Sequence, residues 1–210
     1  EWDRVNLVPK GLPPHERNRL KAVVESLRKR GRSYLFADFS ILLEIGSSYL
    51  AQERFAFAKN IGDLLGDCFP GQAETWAFRG IVALRMGALE AAEANFGRAA
   101  KMDSSSPKHR NNLGEACRQA GKLSAAVRHF RGALKVSPHY AKSHHNLGLC
   151  LLAQDKHKMA EKAFRQAVLF DPSHAKTWRK LGDLHQSGGS AREAMTMFRQ
   201  FLRLVPEDGE

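Results

Sequence analysis

Histidine, cysteine, lysine and asparagine are the residue types here that could do chemistry, and their spacing decides which chemistry. The chain holds nine histidines, with His109, His139, His144, His145 and His174 the densest group. A metal site needs ligands that converge from defined spacing in charged or thiolate company. Neither H-E-x-x-H nor C-x-x-C occurs, and His144 falls 34 residues before Trp178 and 68 after Trp76, at a packing position. The three cysteines, Cys68, Cys117 and Cys150, leave one over in any disulfide scheme. Cys117 and Cys150 sit on apolar helical positions, where a small thiol packs well. There is no G-x-S-x-G and no Gly-rich phosphate loop. The expectation is a non-enzymatic chain with no cofactor and no metal. Recognition remains. Asn112 and Asn146 recur 34 residues apart, and a side-chain amide donates and accepts hydrogen bonds at once.

Charge narrows the partners. The formal net charge is +11 over 210 residues, unevenly spread. Residues 107–140 carry seven Lys or Arg against Glu115 alone, net +6, whereas residues 39–72 carry two against four acids, net −2. A basic middle beside an acidic front prefers acidic partners, whether protein or nucleic acid. Among the exposed basic residues Arg128, Arg131 and Lys135 no aromatic side chains are interleaved to stack bases, so nucleic acid would be held by its backbone only. Nothing approaches eighteen consecutive apolar residues, so no membrane span is expected.

These side chains must be positioned by a repeating element. Gly114, Gly121, Ala126, Phe130, Ala133 and Pro138 reappear 34 residues on as Gly148, Ala160, Phe164, Ala167 and Pro172, then as Gly182, Gly189, Ala194, Phe198 and Pro206. One period back stand Gly80, Gly87, Ala92, Phe96 and Ala99. In residues 175–208, Trp178, Leu181, Gly182 and His185 lie at i, i+3, i+4 and i+7 on a first helix. Ala194, Met197, Phe198 and Phe201 form the facing stripe of a second. Gly182 and Ala194 mark the closest approach of two antiparallel helices, where a bulky side chain would overpack the contact.

A 34-residue period with W-x-x-L-G early, A-x-x-x-F in the middle and a late proline resembles the tetratricopeptide repeat. The resemblance implies an all-α fold, a right-handed α-solenoid of stacked antiparallel helix pairs in one continuous array. Counting the first residue of each repeat as place 1, the family lines a concave groove with places 2, 5, 6, 9 and 12 of the first helix. Here these include Lys108, Asn111, Asn112, Glu115 and Arg118, then Lys142, His145 and Asn146 with Leu149 and Leu152, then Lys176, Arg179 and Lys180 with Asp183 and Gln186. The same places further forward hold Leu43, Glu44, Ser47 and Leu50, then Ala77, Phe78, Ile81 and Leu84, a more apolar front half.

The implied function is a protein-interaction module, a scaffold, adaptor or chaperone that holds an extended or acidic segment of another protein. The N-N-L-G and H-N-L-G wording resembles the repeats of the O-linked N-acetylglucosamine transferases, whose asparagine ladder pairs with peptide backbone; no transferase domain is present. The carboxylate clamp for heat-shock chaperone C-termini is matched by Asn146 and Lys176 and nearly by Lys180, but Asn111 and Glu115 stand where it needs Lys and Asn. A basic helix before a degenerate repeat also resembles the chaperones of type III secretion. The alternatives are an RNA backbone-binding repeat protein and the targeting part of a larger enzyme or secretion system. The expected location is cytoplasmic.

The order along the chain is an extended arm at 1–14, a capping helix and linker at 15–38, and five repeats over 39–208. These are 39–72 (degenerate), 73–106, 107–140, 141–174 and 175–208. Trp2, Val5, Leu7 and Val8 could dock the arm, and Leu20, Val23, Val24 and Leu27 form the apolar stripe of the capping helix. Gly31-Arg32-Ser33 then breaks it. In 39–72 Gly62 stands where Phe is wanted, with Ile61 and Leu65 near enough to supply packing. A start at Glu-Trp-Asp is expected of a fragment or processed form. Met195, Met197, Phe198, Phe201, Leu202, Leu204 and Val205 are more apolar residues than one inward stripe can use, so self-association through the C-terminal edge is expected.

Overall fold

A computed structural model describes residues 14–30 and 36–205. The expected arm, the break at Gly31-Arg32-Ser33, and Pro206 with the residues after it lie outside the described residues, Pro14 of the arm excepted. So do the side chains of Val23, Val24 and Leu27. The described residues form eleven α-helices and no strand. They gather into two compact units, dividing between Asp103 and Ser104.

The first unit holds α1 (Pro14–Arg30), α2 (Phe36–Ala51), α3 (Phe55–Cys68), α4 (Ala73–Arg85) and α5 (Leu89–Met102). Pro14 opens α1, where its missing N–H costs no hydrogen bond. Leu20 is buried with Phe39, Leu42, Ile45 and Tyr49 of α2, and Arg19 grips the Glu44 carboxylate with both terminal nitrogens at 3.2 and 3.0 Å. Ile61 and Leu65 are buried in the same core, as their positions near Gly62 suggested. The ring absent at Gly62 comes from the next helix. Phe78 of α4 reaches across so that a methyl at Gly62 would lie 3.6 Å from it, and Gly46 leaves room for its tip. Phe78 and Ala77 are therefore core residues and line no open face.

The second unit holds α6 (Pro107–Gln119), α7 (Leu123–Val136), α8 (Ala141–Leu152), α9 (His157–Phe170), α10 (Ala175–Ser187) and α11 (Ala191–Leu204). Successive helices pair as antiparallel hairpins, and each pair closes on the same device. A methyl at Gly114 would lie 2.7 Å from the Phe130 ring; at Gly148 and Gly182 it would lie 2.5 Å from Phe164 and Phe198. Only a bare α-carbon lets the ring seat there, which is why glycine recurs opposite phenylalanine.

The hairpin turns share one backbone state. The fifteenth place of every repeat has positive φ, at Glu53, Gly87, Gly121, Asp155 and Gly189. Three are glycines, which enter the left-handed region freely; Glu53 and Asp155 adopt it at a cost of roughly 1–2 kcal/mol. The next N–H closes the helix end by bonding the carbonyl five residues back, as Lys122 does to Cys117 and Lys156 to Leu151, both at 2.9 Å.

Candidate functional site

The first helices of the second unit, α6, α8 and α10, carry the residues picked out for recognition. Their seating begins at the fourth place of each repeat. His144 Nε2 lies 2.8 Å from the Pro138 carbonyl, and Trp178 Nε1 donates to the Pro172 carbonyl at 2.8 Å. Arg110 donates to the Ser104 carbonyl, and in the first unit Trp76 Nε1 donates to Pro70 at 2.9 Å. Each reaches the carbonyl six residues back, in the turn before its own helix. Three chemically different side chains thus do one job, tying a first helix to the preceding turn. His144 is one of them, its ring 5.4 Å from that of Phe170, with His139 4.6 Å away on the same ring. Among the described residues no three His, Cys, Asp or Glu side chains gather as a metal site would require. Cys68, Cys117 and Cys150 are buried and outside any disulfide; burial pushes the Cys150 thiol up to about 11, where it is inert at neutral pH.

The fifth place turns inward at two of its three positions. Asn111 is 6 % exposed, and its Oδ1 accepts from the Ser143 hydroxyl at 3.0 Å and from Asn146 Nδ2 at 3.1 Å. One repeat on, His145 is 8 % exposed, and its Nδ1 lies 2.9 Å from the Thr177 hydroxyl. The third place of one repeat therefore bonds the fifth place of the repeat before it. Thr177 Oγ1 also lies 2.6 Å from His174 Nδ1. A hydroxyl has one proton, so it donates to one imidazole and accepts from the other, and the two rings hold different tautomers. Burial first, then the neighbouring His174, Lys176 and Lys180, pull His145 down to about 4, with Glu115 opposing. It is neutral at pH 7.

The charged residues divide into paired and open. Arg118 holds Glu115 through Nε at 2.9 Å and Nη2 at 2.7 Å, and Gln119 adds a third bond at 2.8 Å. Burial alone would raise the Glu115 carboxyl, but these hydrogen bonds outweigh it and hold it below the usual carboxylate range. Glu115 thus neutralises Arg118. Lys180 pairs with Asp183 at 3.1 Å. Lys108, Lys142 and Lys176 are exposed and have no ion pair among the described residues. All three occupy the second place, one to each first helix. Arg179 is also exposed, its guanidinium 6.0 Å from the Phe201 ring centre. Asn112 is half-buried, with no side-chain hydrogen bond among the described residues. The arrangement offers a row of three ammonium groups beside the amides of Asn112 and Asn146.

Residues 106–168 match the tetratricopeptide repeat family model. Those residues are tetratricopeptide repeats. Among solved structures, the chain is similar to pilF of Pseudomonas aeruginosa at 18 % identity and a TM-score of 0.73. That match covers 80 % of this chain and 77 % of pilF. It is similar also to a tetratricopeptide protein of Thermus thermophilus, TTC0263, at 22 % identity over 80 % of this chain and 91 % of that one, with a TM-score of 0.70. A third is YrrB, a tetratricopeptide protein with an unusual peptide-binding site, at 14 % identity over 89 % and 94 %, with a TM-score of 0.61. At these identities the likeness is one of fold. No curated protein matches the sequence. Within the tetratricopeptide-repeat fold, the inward turn of Asn111 and His145 escaped sequence reasoning. Its signal was the small hydroxyl at the third place of the following repeats, Ser143 and Thr177.

Proposed function

We propose that the first-helix face of the second unit binds an extended, acidic segment of another protein, as a scaffold, adaptor or chaperone and not as an enzyme. The observation that carries this is the row of Lys108, Lys142 and Lys176, each exposed, each unpaired among the described residues, at one place of three consecutive repeats. A carboxylate meeting such an ammonium group makes a charge-assisted hydrogen bond, roughly twice as strong as a neutral one. Asn112 and Asn146 beside the row can bond peptide backbone whatever its sequence. The peptide-binding site of YrrB, a protein of similar fold, supports a peptide as the ligand. The cytoplasm suits a scaffold whose three buried cysteines are outside any disulfide.

The test is fluorescence anisotropy of a labelled oligoglutamate peptide with the full chain. The wild type binds, and binding weakens with salt because screening at about 0.15 M acts over about 8 Å. Changing Lys108, Lys142 and Lys176 together to glutamate abolishes it, and Asn112→Ala with Asn146→Ala lowers the affinity markedly. An unchanged Kd in the lysine variant would contradict the proposal.

A further inference from the structure

The second helices of the same unit carry a pattern of their own. Places 18, 22, 25 and 29 lie at i, i+4, i+7 and i+11 and so share one helix face. On α7 they are Ser124, Arg128, Arg131 and Lys135. On α9 they are Lys158, Lys162, Arg165 and Leu169, and on α11 Arg192, Thr196, Arg199 and Arg203. All twelve are exposed, nine are basic and none is acidic. Arginine occupies the twenty-fifth place three times running. Of the nine, only Arg165 has an ion pair among the described residues, to Glu161 at 2.6 Å. The stripe is not a general habit of second helices in this chain. In the first unit the same places read Ala56, Asn60, Asp63 and Asp67, then Glu90, Ala94, Gly97 and Lys101.

We infer that this face docks on an anionic lipid bilayer, with the basic stripes on the headgroups and apolar side chains among them entering the interface. Anionic membrane surfaces attract clusters of Lys and Arg, and each added basic residue strengthens the attraction. The apolar component is present on the same helices. Leu169, on the stripe itself, is 65 % exposed, and Met159, beside Lys158, is 49 % exposed. Val136, beside Lys135, is exposed too. Exposed apolar side chains set among basic ones are what interfacial binding uses, since buried apolar area and headgroup attraction add. The stripes run along three helices and recur from helix to helix, an array that suits an extended surface. Nucleic acid would use the charges but not Leu169 or Met159, and no Phe, Tyr or Trp of α6 to α11 is exposed to stack on bases. No described helix is long and apolar enough to cross a membrane, so the contact is peripheral. It does not depend on the peptide face.

Vesicle flotation with the full chain tests this. Vesicles of phosphatidylcholine with about one-third phosphatidylglycerol capture the protein at about 0.1 M salt, pure phosphatidylcholine vesicles do not, and higher salt releases it. Changing Arg131, Arg165 and Arg199 to glutamate lowers the apparent affinity by about tenfold or more; Leu169→Ser with Met159→Ser lowers it in part. The control is the triple change of Lys108, Lys142 and Lys176 to glutamate, which alters net charge equally on the other face and leaves vesicle binding in place. All these side chains are exposed, and circular dichroism verifies that each variant is folded. Equal loss in the two triple variants would overturn the proposal by making the effect one of net charge. Absence of binding to anionic vesicles, with or without capture of a single-stranded RNA oligomer by the same stripe, would overturn it as well.

Discussion

Acidification should weaken the second unit through His145, by an amount its packing sets. In the folded chain burial, then His174 and the lysines at 176 and 180, hold this imidazole at about 4, against 6.5 for a free one. Above pH 6.5 neither folded nor unfolded chain carries the proton, and the stability is whole. As the pH falls from 6.5 towards 4 the unfolded chain takes up the proton first, so stability is lost through that window. Below 4 both states are protonated and the loss is complete. The gap between the two values, at about 1.4 kcal/mol per pH unit, caps the loss at about 3 kcal/mol. His145→Asn removes the titration and keeps a side chain that can take the Thr177 hydrogen, as Asn111 takes that of Ser143. Urea unfolding of both proteins across the window reports His145 together with its coupling to His174, whose pKa burial also lowers, because the other groups that titrate there are common to both. The wild type should lose about 2–3 kcal/mol more than the variant on going from neutral pH to pH 4. Parallel pH profiles, or an NMR titration placing His145 near 6.5, would refute the reasoning.

Three further outcomes follow from the packing. Gly148→Val puts branched carbon against the Phe164 ring, where a methyl alone would lie 2.5 Å away; thermal unfolding should show a loss of about 1–3 kcal/mol or more. Asn111→Leu leaves the Ser143 hydroxyl and the Asn146 amide without their shared acceptor. Denaturant unfolding should show it costing about 1–3 kcal/mol, the penalty of a buried polar group left unsatisfied. On α11, Met195, Leu202, Leu204 and Val205 are exposed. Sedimentation at rising concentration should show self-association that Leu202→Ser with Met195→Ser reduces, and a strictly monomeric wild type would remove this edge as a contact.

The helix pairs were legible in the sequence because their device is stereochemical and local. A glycine opposite a phenylalanine sixteen residues later, as at Gly114 and Phe130, names both the close approach and the ring that fills it. Where the ring is missing, at Gly62, the chain alone does not say that Phe78 arrives from the next helix. The hydrogen bond from the fourth place to the preceding turn was half legible. His144 at the place of Trp76 and Trp178 signalled packing, but the shared acceptor needed the fold, since Trp, Arg and His have little in common except an N–H at long reach. The recognition face was the least legible part. Helical spacing puts the second, fifth and ninth places on one stripe, yet the following repeat covers part of it. It buries Asn111 and His145 and leaves Lys108, Lys142 and Lys176 in solvent. The basic stripe of the second helices lies in plain sight at fixed places, and only exposure separates it from a packing stripe.

The central claim, that α6, α8 and α10 present the face a partner segment occupies, is tested most directly by NMR. The isotope-labelled full chain is titrated with an unlabelled oligoglutamate peptide and its backbone and amide shifts are followed. The account predicts saturable shifts centred on Lys108, Asn112, Lys142, Asn146 and Lys176, with Arg131, Arg165 and Arg199 unmoved. Shifts confined to the second helices, or none at peptide concentrations that saturate the anisotropy signal, would contradict it.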